Sequence, residues 1–411
     1  MGERPVGETQ PMKTPKKRSA PVSSGRKPCP RLRLSERHKE LITGCLIIGL
    51  MIGGWGVGEA LLRFVQRGQF GTATHVERSV QFYRDQQTGL RLPVPHSTQG
   101  KIGINSRGFR SPEIPVPKPP GTVRLAFLGS SITYDPYVDN ASTWPHLVTQ
   151  AIQAAYPTCR VDYINAGVPG FSTPRMFIYY LAYVSKLEPD IVVFLPTDTS
   201  VALSNLARRK HVHTGLPVQP SWLAQHSELW ATIEKNVQVI KLQRAAFFPQ
   251  GKLTFTSEEL VAEVRPALEA IATQVIQDQR LLAVATVGEQ LRAGQDRKEQ
   301  QRAAGTALYS MPFMSIPGLL KAGQYYNEVI AGVAKASNLI LIEGHEQIPG
   351  TPVYYADTSH FKPAGSRLMA ERVSSVLLRT PAVRQLFAGR QALCRDSGGH
   401  DTLWRHEEPS H

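Results

Sequence analysis

Five short apolar runs, each closed by small or polar residues, constrain this chain more than any other feature. They are RLAFLG after Val123, VDYINAG, DIVVFL at 190–195, LLAVATVG at 281–288 and LILIEG at 339–344. Runs of this length bounded by turn residues read as buried strands. Helical patterns separate them: 143–155, with Leu147, Ile152 and Ala155 among its apolar positions, then Pro174–Lys186, Glu258–Gln279 and Leu319–Ala336. A last helix is expected from about Pro363 to Leu378, with Pro363 suited to its first turn. Buried strands alternating with helices predict an α/β fold, a doubly wound (flavodoxin-like) parallel five-stranded sheet with helices on both faces.

A second constraint lies upstream. The run LITGCLIIGLMIGGWGVG carries no charge from Leu41 to Gly58. At 1.5 Å per residue such a run reaches ~27 Å, close to the thickness of a bilayer core. Its six glycines argue against a buried soluble helix, where glycine is costly. We read 41–62 as a transmembrane helix. Residues 1–40 hold eleven Lys or Arg against four Asp or Glu, half of the chain's formal +14. They are poor in large apolar side chains and are expected to be disordered. The positive-inside rule keeps this tail in the cytoplasm and sends the rest of the chain across. That predicts a single-pass protein of the cell inner membrane with its domain on the periplasmic or extracytoplasmic side. A cleaved signal peptide would have an unusually long charged leader here. The sequence Ile42-Thr43-Gly44-Cys45 fails as a lipoprotein cleavage box, because the apolar run follows the cysteine.

The charge left outside the tail is too diffuse for a nucleic-acid surface, so no nucleic-acid partner is expected. Residues 63–120 read as an extended prelude broken by seven prolines between Pro93 and Pro120. The main domain is 121–380, with an insertion at 200–257 over the top of the sheet, and 381–411 reads as a C-terminal tail. The four cysteines show no metal spacing. Cys159 and Cys394 could pair or remain separate buried thiols. His211 and His213 have no third ligand nearby. No metal and no cofactor are called for.

Ligands bind parallel sheets at the carboxyl ends of the strands. The polar clusters fall there: Gly129-Ser130-Ser131 after the first strand, Asn165 to Gly170 after the second, and Pro196-Thr197-Asp198-Thr199 after the third. Asp357-Thr358-Ser359-His360 precedes the Pro363 helix. In order and spacing, over roughly 121–380, this set resembles the SGNH/GDSL hydrolase superfamily. The segment INSRGFRSPE at 104–113 also resembles the stretch before the first block in membrane-anchored bacterial members.

The resemblance implies Ser131 as nucleophile, His360 as its base and Asp357 as the group that orients His360. It implies an oxyanion site built from the backbone N–H groups of Ser131 and Gly170, with Asp198 in the third position. Without the resemblance, Ser130 and Ser131 could merely cap the following helix. Two departures stand out. The usual Gly-Asp-Ser reads Gly129-Ser130-Ser131, and the usual Asn aligns with Asp198. An ionised carboxylate offers no donor to an oxyanion, so a protonated Asp198, Thr197 or Thr199 would have to supply it. The function implied is an esterase or deacetylase acting on acyl esters, carbohydrate-linked ones included. The alternatives are an O-acyltransferase acting on envelope carbohydrate and a catalytically inactive binding or assembly protein. Oligomeric state is not read from the sequence.

Overall fold

The computed structural model describes residues 35–68, 81–197, 199–212, 221–245, 247 and 251–396. Most of the basic tail, together with Asp198, His213 and 397–411, lies outside the described residues. Contacts divide the chain into two units, Met1–Trp55 and Gly56–His411.

The helix Glu36–Gly68 runs through the apolar segment and beyond it. Within it, Arg37–Leu62 is long and apolar enough to cross a membrane, and its apolar window is not buried against protein. The prelude therefore begins with helix, where an extended chain was expected from residue 63. Two small antiparallel hairpins follow, β1 (Phe82–Arg84) with β2 (Arg91–Pro93), and β3 (Thr98–Gln99) with β4 (Ile102–Gly103).

The main sheet holds β5 (Val123–Gly129), β6 (Val161–Gly167), β7 (Ile191–Leu195), β8 (Leu281–Ala285) and β9 (Ile340–Ile342). All pairs are parallel, in the order β6-β5-β7-β8-β9. This is the doubly wound arrangement that the apolar runs predict. Every residue of β5 and β7 is buried, as strands covered on both faces must be. One helical layer pairs Trp144–Ala155 with Pro363–Arg379, and the other packs Ser257–Gln277 against Thr173–Tyr179 and Ile316–Ala336. The strand order reverses between β5 and β7, β6 being added on one side and β7 to β9 on the other, so the crevice at their carboxyl ends is the expected ligand position.

The amino edge of the sheet is tied by charge. Arg124 is fully buried and pairs with Asp162 at 2.8 Å, while donating to the carbonyls of Leu187 and Pro115. Asp190 accepts from Lys118 at 3.0 Å, from Arg390 at 2.8 Å and from the Arg124 N–H.

Three segments depart from or add to the sequence reading. The expected helix Pro174–Lys186 is interrupted: Thr173–Tyr179 leads into a wider π turn, Tyr180–Val184, and a 3-10 turn, Ser185–Leu187. The described part of the insertion is helical, as Thr199–Arg209, Trp222–His226 and Glu228–Ala245. The segment after Pro381 is a helix, Pro381–Asp396, and not a tail. It buries Val383 and Phe387, and Phe387 stacks on Tyr156 with ring centroids 3.9 Å apart. Cys159 is buried beneath it, its Sγ 4.0 Å from the Phe387 carbonyl, and the Cys394 side chain lies outside the described residues.

Candidate active site

Strand β5 ends at Gly129 and the chain turns at once into the single helical turn Ser131–Tyr134. That turn crosses the end of β6 at Gly167. A Cβ on Gly167 would sit 2.2 Å from the Tyr134 nitrogen, so only glycine lets the two segments meet. The Ser130 hydroxyl does not cap the turn but is bonded to the Thr197 hydroxyl at the end of β7. Ser131 faces the crevice.

Asp135 closes the turn in the left-handed region, at φ +60°, and its N–H donates to the Ser131 carbonyl. Its carboxylate accepts from the Trp144 N–H at 3.1 Å and the Ser366 hydroxyl at 2.6 Å. Burial pushes this carboxyl up to about 6, against the pull of Ser366 and Arg110. Arg110, from the GFR segment of the prelude, is itself buried. It donates to the carbonyls of Tyr134 and Asp135, both at 2.7 Å, to the Val138 carbonyl, and to Asn140 at 2.9 Å. The prelude thus holds the loop after Ser131 through a guanidinium whose donors are all directed at that loop.

Asp357 shapes the loop that carries His360. One carboxylate oxygen accepts the N–H groups of Ser359 and His360, both at 3.0 Å. This folds the chain back so that the His360 ring meets the same carboxylate, with Nδ1 2.8 Å from Asp357 Oδ2. The other ring nitrogen, Nε2, lies 2.8 Å from Ser131 Oγ. The carboxylate can only accept, which assigns the proton to Nδ1 and leaves the Nε2 lone pair facing the serine. Thr358 pins the loop from beneath: its hydroxyl donates to the Ala303 carbonyl at 2.7 Å, and its carbonyl accepts the Gln290 N–H at 2.7 Å. Tyr137 reaches Asp357 at 3.3 Å.

Burial by itself would raise the Asp357 carboxyl. The neighbouring His360 and the two backbone N–H groups outweigh it and hold the group down at about 2. Burial likewise disfavours a charged His360, yet Asp357 holds its pKa above the ordinary histidine value. An ionised aspartate beside a histidine that gains a proton easily is the electrostatic setting a general base needs.

A cavity of about 380 Å³ opens over these groups, lined by Ser131, Gly170, Thr197, Thr199, Leu203, Met311, Leu319 and His360 among others. Gly170 stands at φ +80°, a conformation that favours glycine. Asp198 lies outside the described residues, while its neighbours Thr197 and Thr199 both face the cavity. Glu289 is part of the same wall, and its removal from water pushes its carboxyl up to about 7 against the attraction of Arg292. An adjoining cavity of about 800 Å³ shares Glu289, Leu319 and Gly323 with the first.

No protein-family model matches the chain, and no curated protein does. Solved structures are similar in fold. A lipase/acylhydrolase from Enterococcus faecalis is 18% identical, with a TM-score of 0.37, over 65% of this chain and 96% of that one. An acetylxylan esterase from Geobacillus stearothermophilus is 14% identical, with a TM-score of 0.39, over 62% of this chain and 93% of that one. Likeness at this level leaves the argument to the geometry of the site.

The motif reading named Ser131, Gly170, Asp198, Asp357 and His360: Ser131, Gly170 and His360 line one cavity, Asp357 bonds His360 from behind, and Asp198 lies outside the described residues. It passed over Arg110, Asp135, Ser366 and Thr358. Asp135 carried a usable signal, four residues after the serine on a turn that must stop there. The partners of Arg110 come from a loop 24 to 30 residues away, which no local pattern reveals.

Proposed function

We propose that this chain is a membrane-anchored serine esterase of the SGNH/GDSL type, removing acyl groups from esters outside the cytoplasm. The observation that carries the reading is the continuous path from Ser131 Oγ through His360 to Asp357, with 2.8 Å at each step. In this reading Ser131 Oγ attacks the ester carbonyl carbon while His360 Nε2 takes the hydroxyl proton. The carbonyl oxygen gains negative charge, and the backbone N–H groups of Ser131 and Gly170 are the donors assigned to it. The carbon–oxygen bond to the alcohol then breaks, and His360 returns its proton to the leaving alcohol. Water, deprotonated by His360, releases the acid from Ser131. Asp357 keeps the ring oriented and stabilises the imidazolium throughout.

The anchor is the helix Arg37–Leu62, and the basic tail before it sets the orientation by charge. An acyltransferase would use the same residues with a second hydroxyl in place of water. The adjoining cavity, which shares the wall of Glu289, Leu319 and Gly323 with the first cavity, would give an acceptor a place to bind. A serine-directed fluorophosphonate tests the common step: the wild-type chain labels at Ser131 and Ser131→Ala does not. Absence of label on a folded wild-type chain rejects both catalytic readings and favours a binding protein. Product analysis with an acetyl ester and a sugar acceptor then separates hydrolysis from transfer.

A further inference from the structure

We propose that the helix Glu228–Ala245 of the insertion lies on the lipid surface and forms, with the segment before it, a platform that seats the domain on the bilayer. The proposal rests on the reading of Arg37–Leu62 as a span. The helix has two opposed faces. Residues 235, 239 and 243, spaced by four, face the protein: Lys235 lies 5.8 Å from the ring centre of Tyr309, and Val239 and Gln243 flank Gly305. Ile233, Val237 and Ile240, spaced by four and three, form a stripe on the other side. These three are 40%, 44% and 48% exposed, and Trp222 and Leu223 just upstream are 69% and 47% exposed. Scattered apolar residues on a surface are ordinary, but here three lie along one side of a helix and an exposed tryptophan and leucine precede them. Lys241 and Arg244 near its C-terminal end suit anionic headgroups.

Lipid is singled out as occupant by where the helix begins. Glu59 is the first charged residue after the uncharged run that ends at Gly58. Its carboxylate accepts from the Ser227 hydroxyl at 2.9 Å and from the N–H groups of Glu228 and Leu229 at 2.9 and 3.0 Å. The residue that ends the uncharged run therefore caps the first turn of the exposed helix, and the proposal puts both at headgroup depth. A carboxylate at a helix N-terminus is favourable on charge grounds as well. On its inner face the helix packs against Gly305–Ser310, whose Thr306, Ala307 and Ser310 line the cavity over Ser131. The platform would place that cavity within reach of membrane-borne esters.

The test is photocrosslinking of the full chain reconstituted in vesicles of phosphatidylcholine and phosphatidylglycerol. A diazirine side chain is placed, one position at a time, at Val237, Ile240, Ile48 within the apolar run, and Arg160 at the amino end of β6. Lipid adducts at Val237, Ile240 and Ile48, several-fold above Arg160, support the platform. Lipid at Ile48 with protein adducts or none at Val237 and Ile240 overturns it and leaves the span intact. Equal lipid labelling at Arg160 also overturns it. No lipid at Ile48 removes the span, and the platform with it.

Discussion

Ser366 donates its hydroxyl to Asp135 across 2.6 Å, and this bond joins the turn that begins at Ser131 to the helix that follows His360. Ser366 and Asp135 are 231 residues apart in sequence, yet the proposed nucleophile and base must meet within a few tenths of an ångström. Ser366→Ala leaves a buried carboxylate short of a donor. We expect a loss of about 1–3 kcal/mol in stability and a fall in kcat with KM little changed. Thermal unfolding and steady-state kinetics on one acetyl ester check both. A rise in KM at constant kcat would assign Ser366 to substrate binding instead.

The pH profile follows from the shifted pair. His360 must be neutral to act as base, and Asp357 raises its pKa. The activity kcat/KM should therefore climb through a value above the ordinary ~6.5 of histidine, and not below it. Asp357→Asn should move that limb to lower pH while cutting kcat by ~10⁴-fold. The two groups contribute stability with opposite pH dependence. Asp357, held down at about 2, adds stability that is complete above its unfolded value of ~3.9 and is lost as pH falls toward 2. His360, raised, adds stability below ~6.5 that is lost as pH rises through its folded value.

Arg110 tests the prelude. Its donors go to three carbonyls and to Asn140. Arg110→Met would take the donor from the three carbonyls, while Asn140 keeps the Gly103 N–H, and cost about 3–5 kcal/mol. Arg110→Lys restores the charge but not the fork, and should recover only part of that loss. Chemical denaturation measures the difference. Equal stability of the wild-type and Arg110→Met chains would show that the prelude is dispensable to the loop after Ser131.

Asp198 carries a prediction drawn from sequence alone. Where an amide would donate to the oxyanion, a carboxylate does so only when protonated. Asp198→Asn should raise kcat on a simple ester at neutral pH by ~10-fold or more. Loss of activity in that variant would mean that Asp198 serves another purpose.

Much of this was legible before any coordinates. The five strands could be read because each is a short apolar run closed by Gly, Ser or Pro, a signal local to a few residues. Ser131 follows the stop at Gly129-Ser130, and Asp357 and His360 precede the Pro363 helix; their roles came from the resemblance of these blocks, in order and spacing, to the SGNH/GDSL superfamily. The supporting bonds could not be read, since Arg110 to Tyr134 and Ser366 to Asp135 depend on which distant loops the fold brings together. The last helix is a different case. Val383, Leu386 and Phe387 recur at helical spacing, and the signal was present but short.

That last helix also sets where the chain can be cut. Ending the protein at Thr380 would strip the ring of Phe387 from Tyr156 and remove Arg390 from its bond to Asp190. An apolar face and a buried carboxylate at the amino edge of the sheet would then meet water together. A shortened version of the domain has to keep both Phe387 and Arg390.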